Sequence, residues 1–294
     1  MTYLTRNLLL GLLGVSFGFH ASAQTATTVP LSVDTRLVMD AAGPQQRRSL
    51  SAIYLIACPN GSAFTIGTGF LLDSGVVVTN THVVATCTEE KLFGVSTTNK
   101  RVTFSRIIKD PDRDLALLVP TEKLANGLRL AVKDNPEPGT EVTTWGYPFY
   151  YNGISPLLSV GYVSGYREVP SNGKSVKHII VNGAFNHGNS GGPLLVSHSN
   201  EVIGVVVLTF NFYPPEVKQI IDALASQRFG SVIGTTTSPD GSKRALNDAE
   251  VTGLVLNEFY EKTQVMIGEA VAGSELAAMI KEHSSEIPSG ARKH

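Results

Sequence analysis

The sequence predicts an all-β protein of two small antiparallel barrels followed by C-terminal helices. Three observations lead there. Short β-branched and apolar runs recur along the chain. Asn-Gly pairs at Asn60-Gly61, Asn152-Gly153, Asn172-Gly173 and Asn182-Gly183 separate them with hairpin-turn chemistry. Hydrophobic residues make up 42% of the 294, enough apolar material for two cores. A net charge of −1, with 17% charged residues, leaves no basic face for nucleic acid and no acidic tail.

In chain order, residues 1–23 read as a signal peptide. Arg6 supplies positive charge, Leu8 to Phe19 forms a short apolar core, and Ala21-Ser22-Ala23 fits the small-x-small cleavage rule. Cleavage after Ala23 predicts export to the periplasm or beyond, with no stable membrane span left behind. Residues 24–48 are a polar lead of weak periodicity. The first barrel is expected from about Leu50 to Val132 and the second from about Thr140 to Tyr213, with Asn135-Pro136-Glu137-Pro138-Gly139 as linker. Glu216 to Gln227 is expected to be a helix, with Val217, Ile220, Ile221 and Leu224 at helical spacing. Gly234-Thr235-Thr236-Thr237-Ser238-Pro239-Asp240-Gly241 reads as a linker or loop. Two helical patterns follow. Asn247 to about Val271 sets Val251, Leu254, Val255, Phe259 and Val265 on one side, and Ser274 to about Glu282 is shorter.

Three segments carry chemistry. Gly188-Asn189-Ser190-Gly191-Gly192-Pro193 places a serine among glycines, where the chain can turn sharply and aim N–H groups at a developing oxyanion. Val76-Val77-Val78-Thr79-Asn80-Thr81-His82 is a β-branched strand that breaks off at a histidine, and Asp114 opens the apolar run Leu115-Ala116-Leu117-Leu118. A serine hydroxyl needs a base to take its proton, and the base needs a carboxylate to fix its tautomer. Asp110, Asp112 and Asp134 compete for that place, but only Asp114 directly precedes an apolar strand. His178, His187 and His198 lack such settings and read as surface or loop residues. The serine segment also fits the G-x-S-x-G elbow of an α/β-hydrolase, but that elbow needs a helix after the serine, and Gly-Gly-Pro-Leu-Leu-Val starts a strand instead.

These segments, in the order His, Asp, Ser, resemble a trypsin-like (chymotrypsin-fold) serine protease, and more closely its HtrA/Deg-type branch. Thr68-Gly69-Phe70-Leu71-Leu72, Trp145-Gly146-Tyr147-Pro148 and Glu201-Val202-Ile203-Gly204-Val205 add to the likeness, which runs from about Ser51 to about Gly230. The resemblance implies two six-stranded antiparallel β-barrels with the active site in the cleft between them. It implies a peptidase domain over residues 49–230, closed by the helix at 216–227, with a helical extension over 231–294. It assigns His82, Asp114 and Ser190 to catalysis, and Gly188, Asn189 and Ser190 to the oxyanion hole. Asn189 stands where digestive relatives carry an activating aspartate, so activation by N-terminal cleavage is not expected. Ala184, Phe185, Val206 and Thr209 align with the substrate pocket. Their uncharged character implies cleavage after small or medium aliphatic residues. Between Val207 and Pro214 the chain lacks the family's long hairpin at that pocket.

Export changes how the two cysteines read. An even pair in an oxidising compartment favours a disulfide between Cys58 and Cys87, and the resemblance suggests that it staples the histidine loop to a neighbouring strand. Two thiols without paired histidine spacing make no zinc site, and neither metal nor organic cofactor is expected. Too few residues follow 230 for a PDZ domain. The C-terminal helices are instead a candidate oligomerisation element, set against a simple helical appendage. The leading expectation is an exported serine endopeptidase acting on polypeptides, unfolded proteins among them. The alternative is a latent or chaperone-like binding protein on the same fold.

Overall fold

In the computed structural model the described residues are 33–60, 63–131, 135–148, 155–183, 185, 188–207, 215–227, 230–237, 242–262 and 267–287. The expected signal peptide lies outside them. Six strands close the first barrel: β1 (Ile53–Asn60), β2 (Ala63–Leu71), β3 (Val77–Thr79), β4 (Phe93–Ser96), β5 (Arg101–Asp110) and β6 (Leu115–Pro120). Their order around it is β1-β2-β3-β6-β5-β4, every pair antiparallel. The β-branched and leucine-rich runs at Val77–Thr79 and Leu115–Val119 are buried on both faces, as strands of so small a barrel require. Closing the ring leaves no unpaired strand edge.

The second barrel takes β7 (Glu141–Gly146), β8 (Leu157–Ser171), β9 (Lys174–Asn182), β10 (Pro193–Val196) and β11 (Val202–Val207). The β8–β9 hairpin turns at Asn172-Gly173, both left-handed with φ of 44° and 80°, as that dipeptide favours. Barrel 2 does not close at residue 213 as the sequence led us to expect. After β11 the chain forms α3 (Pro215–Ser226), a hairpin of β12 (Val232–Thr237) and β13 (Lys243–Asn247), and α4 (Asp248–Lys262). Only then does β14 (Gly268–Ala272) enter between β11 and β9 to complete the order β10-β11-β14-β9-β8-β7. The helical pattern drawn through to Val271 therefore ends at Lys262. Residues 268–272 are buried throughout, and a five-residue run of small residues and one valine, broken by a glutamate, carries no period of its own. Val265 lies outside the described residues.

Three further expectations are corrected. The presumed closing helix α3 packs on α4, and the helix that follows the last barrel strand is α5 (Gly273–Glu282), with Leu276 and Met279 fully buried against the larger core. Burying two such side chains contributes roughly 1.5–3 kcal/mol each, more than exposed ion pairs supply, so the apolar face holds α5 in place. The Thr-rich stretch at 235–237 is strand, because threonine suits a pleated sheet. Asn247 then starts α4 by a reciprocal cap: its Oδ1 accepts the Glu250 N–H at 2.8 Å, and Glu250 Oε2 accepts the Asn247 N–H at 2.9 Å. The lead segment also holds structure, α1 (Arg36–Ala41) and α2 (Pro44–Ser51), the latter opened by a proline at its first turn.

The barrels are joined ahead of the expected linker. Leu128 bridges Leu72 of barrel 1, Leu130 bridges Val202 of barrel 2, and residues 136–140 already turn against β8. The Cys58–Cys87 disulfide is present and ties β1 to the segment after His82. On barrel 2, Glu269 of β14 is buried, receives Arg167 at 2.6 and 3.0 Å, and lies 2.7 Å from His178 Nδ1. His178 is thus a half-buried strand residue, not the surface residue expected. Burial raises the Glu269 carboxyl, but the close His178 ring and the Arg167 hydrogen bonds outweigh it and hold the group below its ordinary 4.5.

Two predictions follow from this architecture. Replacing both cysteines with alanine removes closure of a 29-residue separation, and urea denaturation is expected to show a loss of about 3–4 kcal/mol. Because the Glu269 carboxyl is depressed on folding, its stabilisation is complete above its ordinary 4.5 and is lost as pH falls through the lower folded value. Melting temperatures from pH 6 to 3 are expected to fall less steeply below 4.5 in Glu269→Gln than in the parent, from a lower starting point.

Candidate active site

The aspartate is shaped before it touches the histidine. Asp110 Oδ1 accepts the N–H groups of Asp112 and Arg113, both at 3.1 Å, which folds the chain back toward β6. Asp114 then takes a left-handed conformation, φ 51°, a costly one for a residue with a Cβ. Four hydrogen bonds from consecutive residues hold it there. Its carbonyl accepts Asn80 Nδ2 at 2.9 Å and the Thr81 N–H at 3.3 Å. Its carboxylate accepts the His82 N–H at 3.0 Å on Oδ1 and meets His82 Nδ1 at 2.7 Å on Oδ2. The Thr81 hydroxyl donates to the carbonyls of Leu115, at 2.6 Å, and Asp110, at 3.1 Å. The segment Asn80-Thr81-His82 is therefore a polar clasp around the acid turn, and a 3-10 turn at His82–Val84 follows it.

Ser190 comes from barrel 2. Its residue is 4% exposed, in the turn ahead of β10. The loop is held from the other barrel by one buried side chain, Thr68 of β2. The Thr68 N–H donates to the Ser190 carbonyl at 2.9 Å, and the Thr68 hydroxyl donates to the Gly188 carbonyl at 2.6 Å. That hydroxyl also accepts the Tyr147 N–H at 3.1 Å, while the Thr68 carbonyl accepts the Thr79 hydroxyl at 2.7 Å. Gly191 sits so close that a Cβ there would lie 2.1 Å from the Thr68 carbonyl, and its φ of 84° suits glycine. The Gly191 N–H donates to Val206 and the Gly192 N–H to Asn189, at 2.8 and 2.9 Å, so the loop is anchored on both barrels. A Cβ on Gly67 would stand 2.7 Å from the Val83 methyl carbons and 3.3 Å from the Ser190 carbonyl. Gly67 thus lies close to both the serine loop and the residue next to His82.

Among the described residues no acceptor takes the N–H of Gly188 or Ser190, and no hydrogen bond joins Ser190 to His82. Asn189 is buried against Gly146, and its Oδ1, Thr144 Oγ1 and the Tyr147 phenol oxygen have no hydrogen-bond partner among the described residues. Burial pushes the Tyr147 phenol above its ordinary value. Phe185 and Val206, expected in the pocket, are core residues of barrel 2, Phe185 lying against Gly268. Ala184 and Thr209 fall outside the described residues, as does His187, while His198 is exposed in a turn. Among the described residues no group of histidine, cysteine and acidic side chains is placed to hold a metal, and no helix is long and apolar enough to cross a membrane.

The sequence reading missed Thr68, Asn80, Thr81 and Arg113. Thr68 left a trace, a polar residue amid the apolar run of β2, but only the assembled barrels reveal its partners. Arg113 lies between two acidic candidates and is 10% exposed at its side chain, engaging Asp110, Glu275 and Glu282.

Residues 67–205 match the family described as the trypsin-like peptidase domain. Protease Do-like 5, chloroplastic, of Arabidopsis thaliana is 38% identical over 167 residues, which cover 51% of this chain and 50% of that protein. Periplasmic serine endoprotease DegP of Escherichia coli strain K12 is 32% identical over 145 residues, covering 48% and 29%. The chain thus spans half or less of these relatives. Among solved structures, the active form of the Rv3671c protease from M. tuberculosis superposes with a TM-score of 0.53 at 20% identity, covering 85% of this chain and 87% of that one. An HtrA-type protease with tripeptide superposes at 0.54 and 18% identity, covering 84% and 63%. Two six-stranded barrels, a peptidase-domain match across both and these relatives place the chain among the trypsin-like proteins of the HtrA/Deg type.

Proposed function

We propose that the protein is a serine endopeptidase in which Ser190 is the nucleophile, His82 the general base and Asp114 the orienting carboxylate. The observation that carries this reading is the His82 Nδ1–Asp114 Oδ2 contact of 2.7 Å, made by a carboxylate held in a strained turn for that purpose. A hydrogen on Nδ1 leaves Nε2 as the acceptor, the tautomer a base needs. In the reaction Ser190 Oγ attacks the scissile carbonyl as His82 takes its proton. The oxyanion forms against the N–H groups of Gly188 and Ser190, which no acceptor takes among the described residues. His82 then passes its proton to the leaving amine, and water repeats the sequence in reverse on the acyl-enzyme. Each oxyanion donor contributes about 3 kcal/mol in such sites.

Polypeptides are the proposed substrates, unfolded ones among them, with export following from the N-terminal pattern. A preference for small or medium aliphatic residues before the scissile bond rests on the uncharged sequence around Ala184 and Thr209 alone, since Phe185 and Val206 are buried in the barrel 2 core. A latent form is the second reading, favoured by the missing Ser190–His82 hydrogen bond among the described residues. Apo sites often tighten only when substrate binds.

The test is a fluorophosphonate probe and unfolded casein, with Ser190→Ala alongside. Labelling and cleavage of the parent are expected, with at least about a 10⁴-fold loss in the mutant. A folded parent that never labels would sink the endopeptidase reading. Thr68→Val leaves the Gly188 carbonyl without its donor and the Tyr147 N–H without its acceptor. An unmet buried polar group costs about 1–3 kcal/mol, so a fall in kcat of about 10- to 100-fold with little change in KM is expected from steady-state kinetics, and Thr68→Ser is expected to restore most of it.

A further inference from the structure

We infer that the C-terminal helix α5 is a positioning element for the His82–Asp114 pair, acting through Arg113. This inference rests on the proposed role of that pair and adds a part of the chain outside the matched domain. Arg113 immediately precedes Asp114 and places its guanidinium on α5. Its two terminal nitrogens take the Glu282 carboxylate in parallel, each at 2.9 Å. Its Nε donates to Glu275 Oε2 at 3.1 Å, and Nη1 also reaches Asp110 Oδ2 at 2.6 Å. Glu275 and Glu282 lie two turns apart on α5, so both face the same fork. The second oxygen of Glu275 accepts the Lys177 N–H of β9 at 3.2 Å, which ties this cluster to barrel 2 as well.

The geometry gives the fork a specific consequence. Asp110 is the residue whose carboxylate folds the acid turn and whose carbonyl accepts the Thr81 hydroxyl beside His82. Arg113 pulls on Asp110 from one side and on α5 from the other, and the residue between this anchor and β6 is Asp114 in its left-handed conformation. A planar, bidentate guanidinium fixes direction as well as charge, which a lysine does not. The helix itself is held by Leu276 and Met279, fully buried, and Ile287 beyond it, so it offers the fork a rigid support. Arg113 is a positioning residue in this arrangement, touching no substrate.

The experiment compares Arg113→Met, Arg113→Lys and the exposed-partner variant Glu282→Gln with the parent in three measurements. Melting temperature establishes folding, steady-state kinetics on a peptide ester separates kcat from KM, and proton NMR reads the low-field Nδ1–H of His82. Arg113→Met is expected to lower kcat 10- to 100-fold with KM within threefold, and to broaden or lose the low-field resonance. Arg113→Lys is expected to recover little, and Glu282→Gln to lie between. Should Arg113→Met fail to fold, Glu282→Gln carries the test alone. A resonance of parental position and width, with kcat within twofold, in a folded Arg113→Met or Glu282→Gln variant would overturn the inference. The resonance reports the His82–Asp114 pair whether or not the protein hydrolyses anything. Failure of the endopeptidase reading shows instead as an unlabelled parent.

Discussion

Everything at the site depends on the relative placement of two barrels, since the proposed base and its carboxylate belong to one and the proposed nucleophile to the other. Thr68 sets that placement where it matters. Through its N–H, hydroxyl and carbonyl it engages Ser190, Gly188, Tyr147 and Thr79, drawing β2, β3, the serine loop and the end of β7 to one buried point. In a dry setting each of these bonds is both directional and costly to lose, because the freed group has no water to turn to. The apolar core that includes residues of both barrels is non-directional by comparison. It brings the barrels together, while the threonine decides how the loop sits.

The second constraint is the left-handed Asp114. A conformation costing on the order of 1–3 kcal/mol persists only where its surroundings over-determine it. Asn80, Thr81 and His82 supply that on one side through their hydrogen bonds. Arg113 and Asp110 supply it on the other. The strain has a use, since it turns the carboxylate to receive a backbone N–H and the ring Nδ1 of the same histidine. Both contacts fix the ring, one through its own nitrogen and one through the chain that bears it.

The parts legible in the sequence were those with local signatures. Val77–Thr79 and Leu115–Leu118 read as buried strands because β-branched or apolar runs are bounded by polar residues, and Asn172-Gly173 read as a turn because its left-handed backbone suits those side chains. The histidine and aspartate stood out because they bound such runs, and the serine because it sits among glycines. What escaped was set by partners distant in sequence. β14 has no alternation, being buried on both faces, and its place in barrel 2 is decided by Val205 and Ile179 on the neighbouring strands. Arg113 looked like one charge among several in Asp110-Pro111-Asp112-Arg113-Asp114. Its worth lies in Glu275 and Glu282, more than 160 residues away.

The late arrival of β14 ties the segment between β11 and β14 to the barrel that carries Ser190. α3, the β12–β13 hairpin and α4 hang between β11 and β14, two adjacent strands of one ring. Lengthening a connection adds only about 0.6 kcal/mol for each doubling, so an insertion here need not weaken the barrel much. Its attachment points are another matter. β11 carries Val206, which exchanges hydrogen bonds with Gly191 and Gly192 beside Ser190. β14 leads without a break into α5, the helix that holds Arg113. One end of the insertion therefore leaves from the serine loop's support, and the other returns to the support of the aspartate. Any movement that separates or rotates β11 against β14 acts on both halves of the site together. The barrel's own ladder, with Val205 opposite Val271 and Val206 opposite Ala270, is what resists it.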